Sequence, residues 1–156
     1  KRAYETGKTV ADLLGVEVIT NPGLREIDGG KWEAVKFVDL PKLFPEDFKT
    51  WLEDIGNVRC TGGESTREVA ERVYQTVLAI AKENKGQTVA IATHAMAIRA
   101  LQSMIQMGGT EKMQQIPWVS NASVSELEYK DGVWKYIKIG YDGHLQELRT
   151  ALPEDI

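Results

Sequence analysis

Hydrophobic residues recur at helical spacing in three stretches of the chain. The first covers residues 3–14 and ends at a glycine, a residue type that commonly terminates helices. The second follows residues 65–68, Ser-Thr-Arg-Glu, which have the spacing of a capping box, and we expect it to reach about Asn84. The third begins after His94 and stops at Gly108. These patterns predict the three main helices.

Shorter patterns predict further helices and the first strands. Two amphipathic segments, 34–43 and 46–55, predict short helices. Residues 16–20 and 88–92 predict short strands. The second of these is apolar on both faces, which is typical of a buried parallel strand.

The end of the chain carries the signal of a β-hairpin. Segments 123–129 and 133–139 flank the turn sequence Lys130-Asp131-Gly132. Taken with the preceding elements, this order predicts an α/β fold with a mostly parallel sheet and an antiparallel edge.

Composition limits the classes of protein and partner. A chain of 156 residues with 42% hydrophobic and 27% charged residues suits one compact domain, which we assign to residues 1–156. The net charge of −4 gives no attraction to nucleic acid or to an anionic membrane, so neither is expected as a partner. The single cysteine, Cys60, excludes an internal disulfide and fits a cytoplasmic location. Neither a start methionine nor a capping residue precedes Lys1, so we expect a domain that is incomplete at its N-terminus.

His94 is the leading candidate for chemistry. It lies where a predicted buried strand ends and a helix begins, which is where ligands bind in open α/β sheets. The unpaired N–H groups and partial positive charge of a helix N-terminus suit a phosphate. From position alone, a core histidine hydrogen-bonded to a carbonyl is an equally good interpretation.

Glu26 and Arg2 are weaker candidates when each is taken alone. Glu26 lies in a loop beside Gly29 and Gly30, and a carboxyl group held in a pocket can act as a general acid. Arg2 offers a guanidinium suited to bidentate phosphate binding. For both residues, an exposed side chain without a catalytic role is the more common case.

Other residue types with known chemistry are given lesser roles. The segment from Cys60 to Arg67 resembles a cysteine phosphatase loop, but it has one residue too many and contains a glutamate that would repel phosphate. His144 is expected to pack or to lie at the surface. No zinc-ligand spacing is evident, and no cofactor is expected. Trp32 and Trp118 are weak candidates to line a substrate pocket.

Several segments, in the right order, resemble the histidine phosphatase superfamily, in its phosphoglycerate mutase-like and broad-specificity phosphatase branch. Residues 1–6, Lys-Arg-Ala-Tyr-Glu-Thr, resemble the segment that ends R-A-x-x-T. Residues 24–33 resemble the L-x-E-x-x-x-G-x-W-E-G segment, and residues 89–95 resemble the strand that ends in the second catalytic histidine. Weaker matches are Gly-Gly-Glu-Ser at 62–65 and Asn-Ala-Ser-Val at 121–124.

This resemblance implies a three-layer sandwich with a mostly parallel central sheet and helices on both faces. It also implies that an upstream histidine takes the phosphoryl group, that Arg2 and His94 bind its oxygens, and that Glu26 protonates the leaving alcohol. The R-H-G segment that supplies the nucleophilic histidine is absent from this sequence. Ala34 and Ala95 stand where glycines are common, and Ala95 would strain its loop if its φ were positive.

We therefore predict phosphomonoester hydrolysis through a phosphohistidine intermediate in the full-length protein, and no normal turnover by these 156 residues alone. The compact region between Glu26 and His94 resembles phosphatase-type members of the family, and this resemblance favours a phosphatase over a phosphoglycerate mutase, which is one alternative. A non-catalytic phosphate-binding or interaction module that uses Arg2 and His94 is another. The expected partner is a small phosphorylated substrate, and strand exchange in a homodimer is a second source for the missing segment.

Overall fold

The computed structural model describes residues 1–149, where helices and a β-hairpin are combined. The helices are α1 (Arg2–Leu14), α2 (Leu40–Leu43), α3 (Pro45–Glu53), α4 (Thr66–Glu83) and α5 (Ala95–Met107). The strands are β1 (Val124–Lys130) and β2 (Val133–Tyr141). Single 3₁₀ turns lie at Pro22–Leu24, Gly30–Trp32, Phe37–Asp39, Ile55–Asn57, Met113–Gln115 and Gln146–Leu148. This mixture of helices and strands agrees with the predicted α/β class.

Helix α4 begins as the capping box predicts. The Ser65 hydroxyl accepts a 3.3 Å hydrogen bond from the Glu68 amide, and the Glu68 carboxylate accepts one of 2.8 Å from the Ser65 amide. One face of the helix is buried, with Val69 and Val73 0% and 1% exposed. Burial of a valine side chain contributes about 1.5 kcal/mol or more to folding, so this face anchors the helix to the core.

Helices α1 and α5 end at the glycines that the sequence predicts. Gly15 and Gly108 have φ angles of 67° and 76°, the left-handed conformation that closes a helix C-terminus. Helix α5 packs against α4, and its alanines at 97 and 100 are both 0% exposed and belong to the core.

The region between the first and second long helices is less helical than its pattern predicts. Residues 34–36 are not helical, and Ala34 has a φ of 63°. Helix α2 begins only at Leu40, after a 3₁₀ turn. Aromatic side chains pack together in this region without a continuous helix. The centroid of the Trp32 ring lies 6.2 Å from that of Phe44 and 6.3 Å from that of Phe48.

The predicted hairpin is confirmed. Strands β1 and β2 pair in antiparallel register, with Lys130 opposite Val133. The turn residues Asp131 and Gly132 have φ angles of 51° and 83°, as a type I′ turn requires. The pairing is irregular between Val124 and Leu127, where the register shifts.

The two other predicted strands are not found as strands. Residues 16–20 and 88–92 carry no regular secondary structure, and the sheet that the structure contains within residues 1–149 is the two-stranded hairpin. Ile19 is 89% exposed and Val89 45%, so the apolar pattern does not produce burial here. A strand requires a neighbour for its backbone N–H and C=O groups, and the described residues provide none for these segments. The predicted central parallel sheet is therefore not observed within residues 1–149.

Within residues 1–149, the helices are too short or too polar to cross a membrane.

Candidate active site

Glu26 and the beginning of α5 meet in the structure. One Glu26 carboxylate oxygen lies 3.4 Å from the Met96 amide, in the first turn of the helix, and the other accepts a 3.0 Å hydrogen bond from the Ile27 amide. The side chain is half-buried. The partial positive charge of the helix N-terminus favours an anion at this place. Glu26 and Met96, 70 positions apart along the chain, are thus in contact.

His94 is the N-cap residue of α5. Its backbone is extended, with φ −128° and ψ 164°, and its carbonyl accepts a 2.9 Å hydrogen bond from the Ile98 amide. The imidazole is half-buried, and within the described part of the chain it forms no side-chain hydrogen bond. The interpretation as a core histidine bonded to a carbonyl therefore has no support in the structure.

The backbone before His94 is fastened to the loop that carries Glu26. The Thr93 hydroxyl donates a 2.6 Å hydrogen bond to the carbonyl of Leu24. Because this bond and the Glu26–Met96 contact lie on either side of His94, the histidine and the glutamate are held in the same part of the molecule.

Arg2 is placed less clearly. It is the first residue of α1, its side chain is exposed, and residues 1–149 offer it no ion pair or side-chain hydrogen bond. Helix α1 lies beside the segment that leads to His94, since a Cβ on Gly7 would approach the Ala92 Cβ to 3.3 Å. The structure therefore brings the helix of Arg2 near this segment but does not join Arg2 to His94 or Glu26.

Arg72 of α4 is a site residue that the sequence analysis missed. Its guanidinium donates 2.9 Å hydrogen bonds to the carbonyls of Arg25 and Glu26, and one of 3.1 Å to the carbonyl of Gly23. It also donates two bonds of 2.8 Å to Glu64. A guanidinium is suited to this role because its donors form a rigid fork. Arg72 thus fixes the backbone of the loop that carries Glu26.

Glu64 completes this arrangement from the other side. It accepts 2.9 Å hydrogen bonds from the Asp28 amide and from Arg25, in addition to those from Arg72. The hydrogen bonds from Arg72, followed by the one from the Asp28 amide, hold the pKa of Glu64 below its ordinary value, although partial burial acts in the opposite direction. Glu64 is therefore a structural carboxylate whose ionised form is stabilised by its hydrogen-bond donors.

Close backbone contact holds the loop against the segment before α4. Gly63 packs so tightly that an added Cβ would lie 2.1 Å from the carbonyl oxygen of Asp28. Hydrogen bonds from Lys31 to the Thr61 carbonyl and from Glu64 to the Asp28 carbonyl, 2.8 and 2.9 Å long, join the same two segments. A glycine is needed at 63 because no side chain fits there.

A cavity of about 250 Å³ opens beside Glu26 and the start of α5. Most of the residues that line it are apolar or aromatic, and Glu26 is the charged one among them. The lining consists of Glu26, Ile27, Phe37, Trp51, Ala95, Met96, Trp118, Val119 and Asn121. Of the two tryptophans proposed from the sequence, Trp118 lines the cavity, whereas Trp32 is 9% exposed and packs in the core.

The remaining reactive side chains lie outside this site. Cys60 is 2% exposed, and burial, followed by the charge of Asp47, raises the pKa of its thiol to about 11. A thiol in that state is a poor nucleophile, which agrees with the rejection of a cysteine phosphatase loop. His144 lies against Tyr141, with ring centroids 5.8 Å apart, and bonds to the Ala122 carbonyl. The described residues contain no cluster of three metal-ligating side chains.

The alanines that replace family glycines behave differently from each other. Ala34 has a φ of 63°, in the left-handed region where glycine is preferred. Ala95 lies in the first turn of α5 and is not among the positive-φ residues. The strain considered for Ala95 is therefore not present, and the backbone cost falls on Ala34.

The chain is similar to curated proteins of known name. Phosphoserine phosphatase 1 of Hydrogenobacter thermophilus is 29% identical over 148 residues, which cover 95% of this chain and 70% of that protein. Phosphoglycerate mutase-like protein 4 of Arabidopsis thaliana is 28% identical over 150 residues, which cover 94% and 64%. A bifunctional protein of Mycobacterium tuberculosis is 29% identical, and 40% of its length is covered. The chain thus spans between 40% and 70% of the length of these relatives.

Solved structures share the fold. YhfR of Bacillus stearothermophilus superposes with a TM-score of 0.86 at 24% identity, covering 92% of this chain and 71% of that one. The mycobacterial glucosyl-3-phosphoglycerate phosphatase superposes with a TM-score of 0.78 at 21% identity, covering 91% and 73%. The sequence profile of the histidine phosphatase superfamily (branch 1) matches residues 1–142. Since that match includes nearly all of the described residues, this chain belongs to the histidine phosphatase superfamily (branch 1).

Proposed function

We propose that the complete protein hydrolyses phosphomonoesters through a phosphohistidine intermediate. The observation that carries this proposal is the contact of Glu26 with the first turn of α5, directly after His94 and beside a cavity. A carboxyl group, an imidazole without a competing hydrogen bond and a helix N-terminus are thereby available to one bound phosphate ester. Family membership supports the same reaction class.

Each step of the proposed reaction is assigned either to Glu26 or to a histidine supplied from outside this sequence. A histidine outside these 156 residues attacks phosphorus, so that an N–P bond forms while the bond to the leaving oxygen breaks. Protonated Glu26 gives its proton to the leaving alcohol. The resulting carboxylate then removes a proton from water, which attacks phosphorus and releases inorganic phosphate and the free histidine.

His94 and Arg2 have electrostatic roles in this proposal. The His94 imidazole donates a hydrogen bond to an oxygen of the transferring group, where negative charge is concentrated in the transition state. Arg2 neutralises negative charge on the same phosphoryl group when a phosphate is bound between α1 and the segment that leads to His94. Its exposed side chain, with no ion pair inside residues 1–149, is available for that contact.

The three-layer fold is part of the proposal. We infer that residues 16–20 and 88–92 become strands of a mostly parallel central sheet when the segment with the nucleophilic histidine is present. Their exposed apolar residues support this, because Val16 is 58% exposed and Ile91 37%. That segment comes from the same protein outside these residues, or from a second copy by strand exchange.

Two alternatives differ in what happens to the phosphoryl group. A phosphoglycerate mutase would return it to a bound sugar acid, and one relative is named as mutase-like. The cavity beside Glu26 argues against that, since among the residues that line it none carries a positive charge for a carboxylate. A non-catalytic phosphate-binding module would retain His94 and Arg2 but form no phosphoenzyme.

Phosphoenzyme trapping on the complete gene product tests the proposal. We expect radiolabelled substrate to leave an acid-labile, alkali-stable label on histidine, and His94→Ala and Glu26→Gln to reduce turnover by roughly 100-fold or more. His144→Ala is the matched control, because His144 lies outside the cavity, and it should retain full turnover. Absence of any label together with absence of hydrolysis would favour the non-catalytic module.

The 156-residue chain itself gives a second test. We expect it to show no normal phosphatase turnover, because neither of its two histidines, His94 and His144, is the proposed nucleophile. Robust turnover by a chain confirmed to begin at Lys1, lost in His94→Ala, would contradict this expectation.

A further inference from the structure

We propose that the cavity beside Glu26 binds the leaving group of the substrate, and that this group is an uncharged aromatic alcohol. The inference rests on the proposed function, in which Glu26 protonates the leaving oxygen. Glu26 is itself part of the cavity lining, together with Ala95 and Met96 of the first turn of α5. A phosphate bound at that turn would therefore extend its ester group into the cavity.

The side chains around the cavity set the chemistry of its occupant. Phe37, Trp51 and Trp118 present aromatic surface, and Ile27, Met96 and Val119 add aliphatic surface. Apolar surface removed from water favours binding in proportion to its area. An apolar leaving group is therefore bound more tightly than a sugar or an amino acid.

The aromatic rings also set its shape. The rings of Trp51 and Trp118 lie 6.2 Å apart with 25° between their planes, so they present similarly oriented flat surfaces. Planar aromatic groups prefer offset-stacked or edge-to-face contacts with such rings, which adds to simple burial. A flat ring therefore matches this lining better than a branched alkyl group of equal size.

Arg99 of α5 supports Trp118 rather than the ligand. Its guanidinium lies 4.4 Å from the centroid of the Trp118 ring and donates hydrogen bonds of 2.7 and 3.2 Å to the carbonyls of Ile116 and Met113. The residue is 6% exposed. Its charge is thus used within the protein, where a cation–π contact and two backbone bonds fix the position of Trp118.

An acidic leaving group is disfavoured by the same lining. Glu26 is the charged residue of the lining, and Arg99, which lies outside it, donates two of its hydrogen bonds to backbone carbonyls. A carboxylate placed in such a cavity loses its hydration without gaining a counter-charge, which is strongly unfavourable. Phosphoglycerate and phosphoserine are for this reason poorer substrates than an aryl-bearing ester.

Calorimetric binding of three phosphonates to the complete protein tests this inference without requiring turnover. The probes are benzylphosphonate, methylphosphonate and 4-carboxybenzylphosphonate. We expect benzylphosphonate to bind roughly tenfold or more tightly than methylphosphonate, because stacking and burial both favour the ring. The added carboxylate should abolish that advantage.

Tryptophan variants connect the preference to the cavity. Trp118→Leu and Trp51→Leu should each reduce the ratio of benzylphosphonate to methylphosphonate affinity several-fold. Trp134→Leu is the matched control, since Trp134 lies in β2 outside the lining and its replacement should leave the ratio unchanged. Thermal unfolding of each variant establishes that it is folded.

The outcomes separate this inference from the proposed function. Equal affinities for benzylphosphonate and methylphosphonate, or a preference that survives both cavity variants, would overturn the aromatic subsite even if phosphate esters are hydrolysed. A Trp118-dependent preference for benzylphosphonate would support the subsite even if neither benzyl phosphate nor methyl phosphate is hydrolysed. In that second case the proposed hydrolysis fails and the binding site stands.

Discussion

Arg72 donates a 2.9 Å hydrogen bond from its guanidinium to the backbone carbonyl of Glu26. The same guanidinium donates two hydrogen bonds to the carboxylate of Glu64, whose side chain is 14% exposed. Arg72 therefore connects the long helix α4 to the loop that places a carboxyl group at the N-terminus of α5. It is a positioning residue, because its contact is with the backbone of Glu26 and not with the carboxylate.

Replacement of Arg72 is expected to destabilise the protein and to displace Glu26. Arg72→Ala leaves the carbonyls of Gly23, Arg25 and Glu26 without their donor and leaves Glu64 with fewer partners. Loss of one member of a partly buried, hydrogen-bonded ion pair costs roughly 2–4 kcal/mol, discounted here for the 17% exposure of Arg72. Denaturant unfolding of the variant measures this cost.

A second arginine on the same helix provides the control. Arg67 pairs with Glu111 at 3.3 Å and donates a 2.8 Å hydrogen bond to Asn57, but the side chains of Arg67 and Glu111 are 60% and 65% exposed. Arg67→Ala should therefore change stability by about 1 kcal/mol at most. If the two variants were equally stable, Arg72 would not hold the loop as its hydrogen bonds indicate.

A milder change tests the positioning role in the complete protein, on the basis of the proposed hydrolysis. Arg72→Lys keeps the charge but loses the fork that reaches several carbonyls at once, so we expect kcat to fall about tenfold or more. A fall in stability with an unchanged kcat would show that Arg72 is structural only.

Glu64 is expected to contribute to the loss of stability in acid. Its pKa is lowered in the folded protein, chiefly by the hydrogen bonds from Arg72, so its contribution is complete above the ordinary glutamate pKa of 4.5 and is lost as the pH falls below that value. Glu64→Gln removes this titration. The variant should be less stable than the parent at pH 7, and the difference should shrink as the pH is lowered towards 3.

Unfolding curves recorded at several pH values measure this difference. The Glu64→Gln variant will still lose some stability in acid, because Arg59 also lowers the pKa of Glu68, to about 2. A Glu64→Gln variant whose deficit stays constant from neutral pH to the acid limb would contradict the proposed linkage.

Local elements of the fold were predictable from the sequence because their causes are local. The capping box at Ser65 and Glu68, the glycine ends of α1 and α5, and the Asp131-Gly132 turn all depend on residues within a few positions of each other. The central sheet was predicted but is not observed within residues 1–149. Periodicity marks residues 16–20 and 88–92 as candidate strands, but it does not identify the distant partner that each of them needs.

The candidate site was likewise only partly predictable from the sequence. The family resemblance predicted that Glu26 and His94 belong together, and the contact between Glu26 and Met96 places them in one region. Arg72 was missed because its hydrogen bonds join residues between 46 and 49 positions apart along the chain. A polar residue within an amphipathic helix gives no signal of such a role, since most arginines there are solvated.

Cys60 is expected to be unreactive in the folded protein. It is 2% exposed, and burial raises the pKa of its thiol to about 11, so the thiolate is scarce at pH 8. An aromatic disulfide reagent should label it slowly in native buffer and rapidly in denaturant. Rapid labelling under native conditions would show that the segment before α4 opens readily.

Ala34 offers a site for stabilisation. It has a φ of 63°, a conformation that costs a residue with a Cβ about 1–2 kcal/mol relative to glycine. Ala34→Gly removes this strain but increases the entropy of the unfolded chain, which offsets roughly 0.4–1 kcal/mol of the gain. We therefore expect a net stabilisation of about 0.5–1 kcal/mol, measured as a higher denaturant midpoint at an unchanged slope.

The same substitution at Ala79, an exposed position inside α4, should instead destabilise the protein by about 1 kcal/mol. Opposite signs at the two positions would establish that backbone conformation at Ala34, and not the removal of a methyl group, determines the effect.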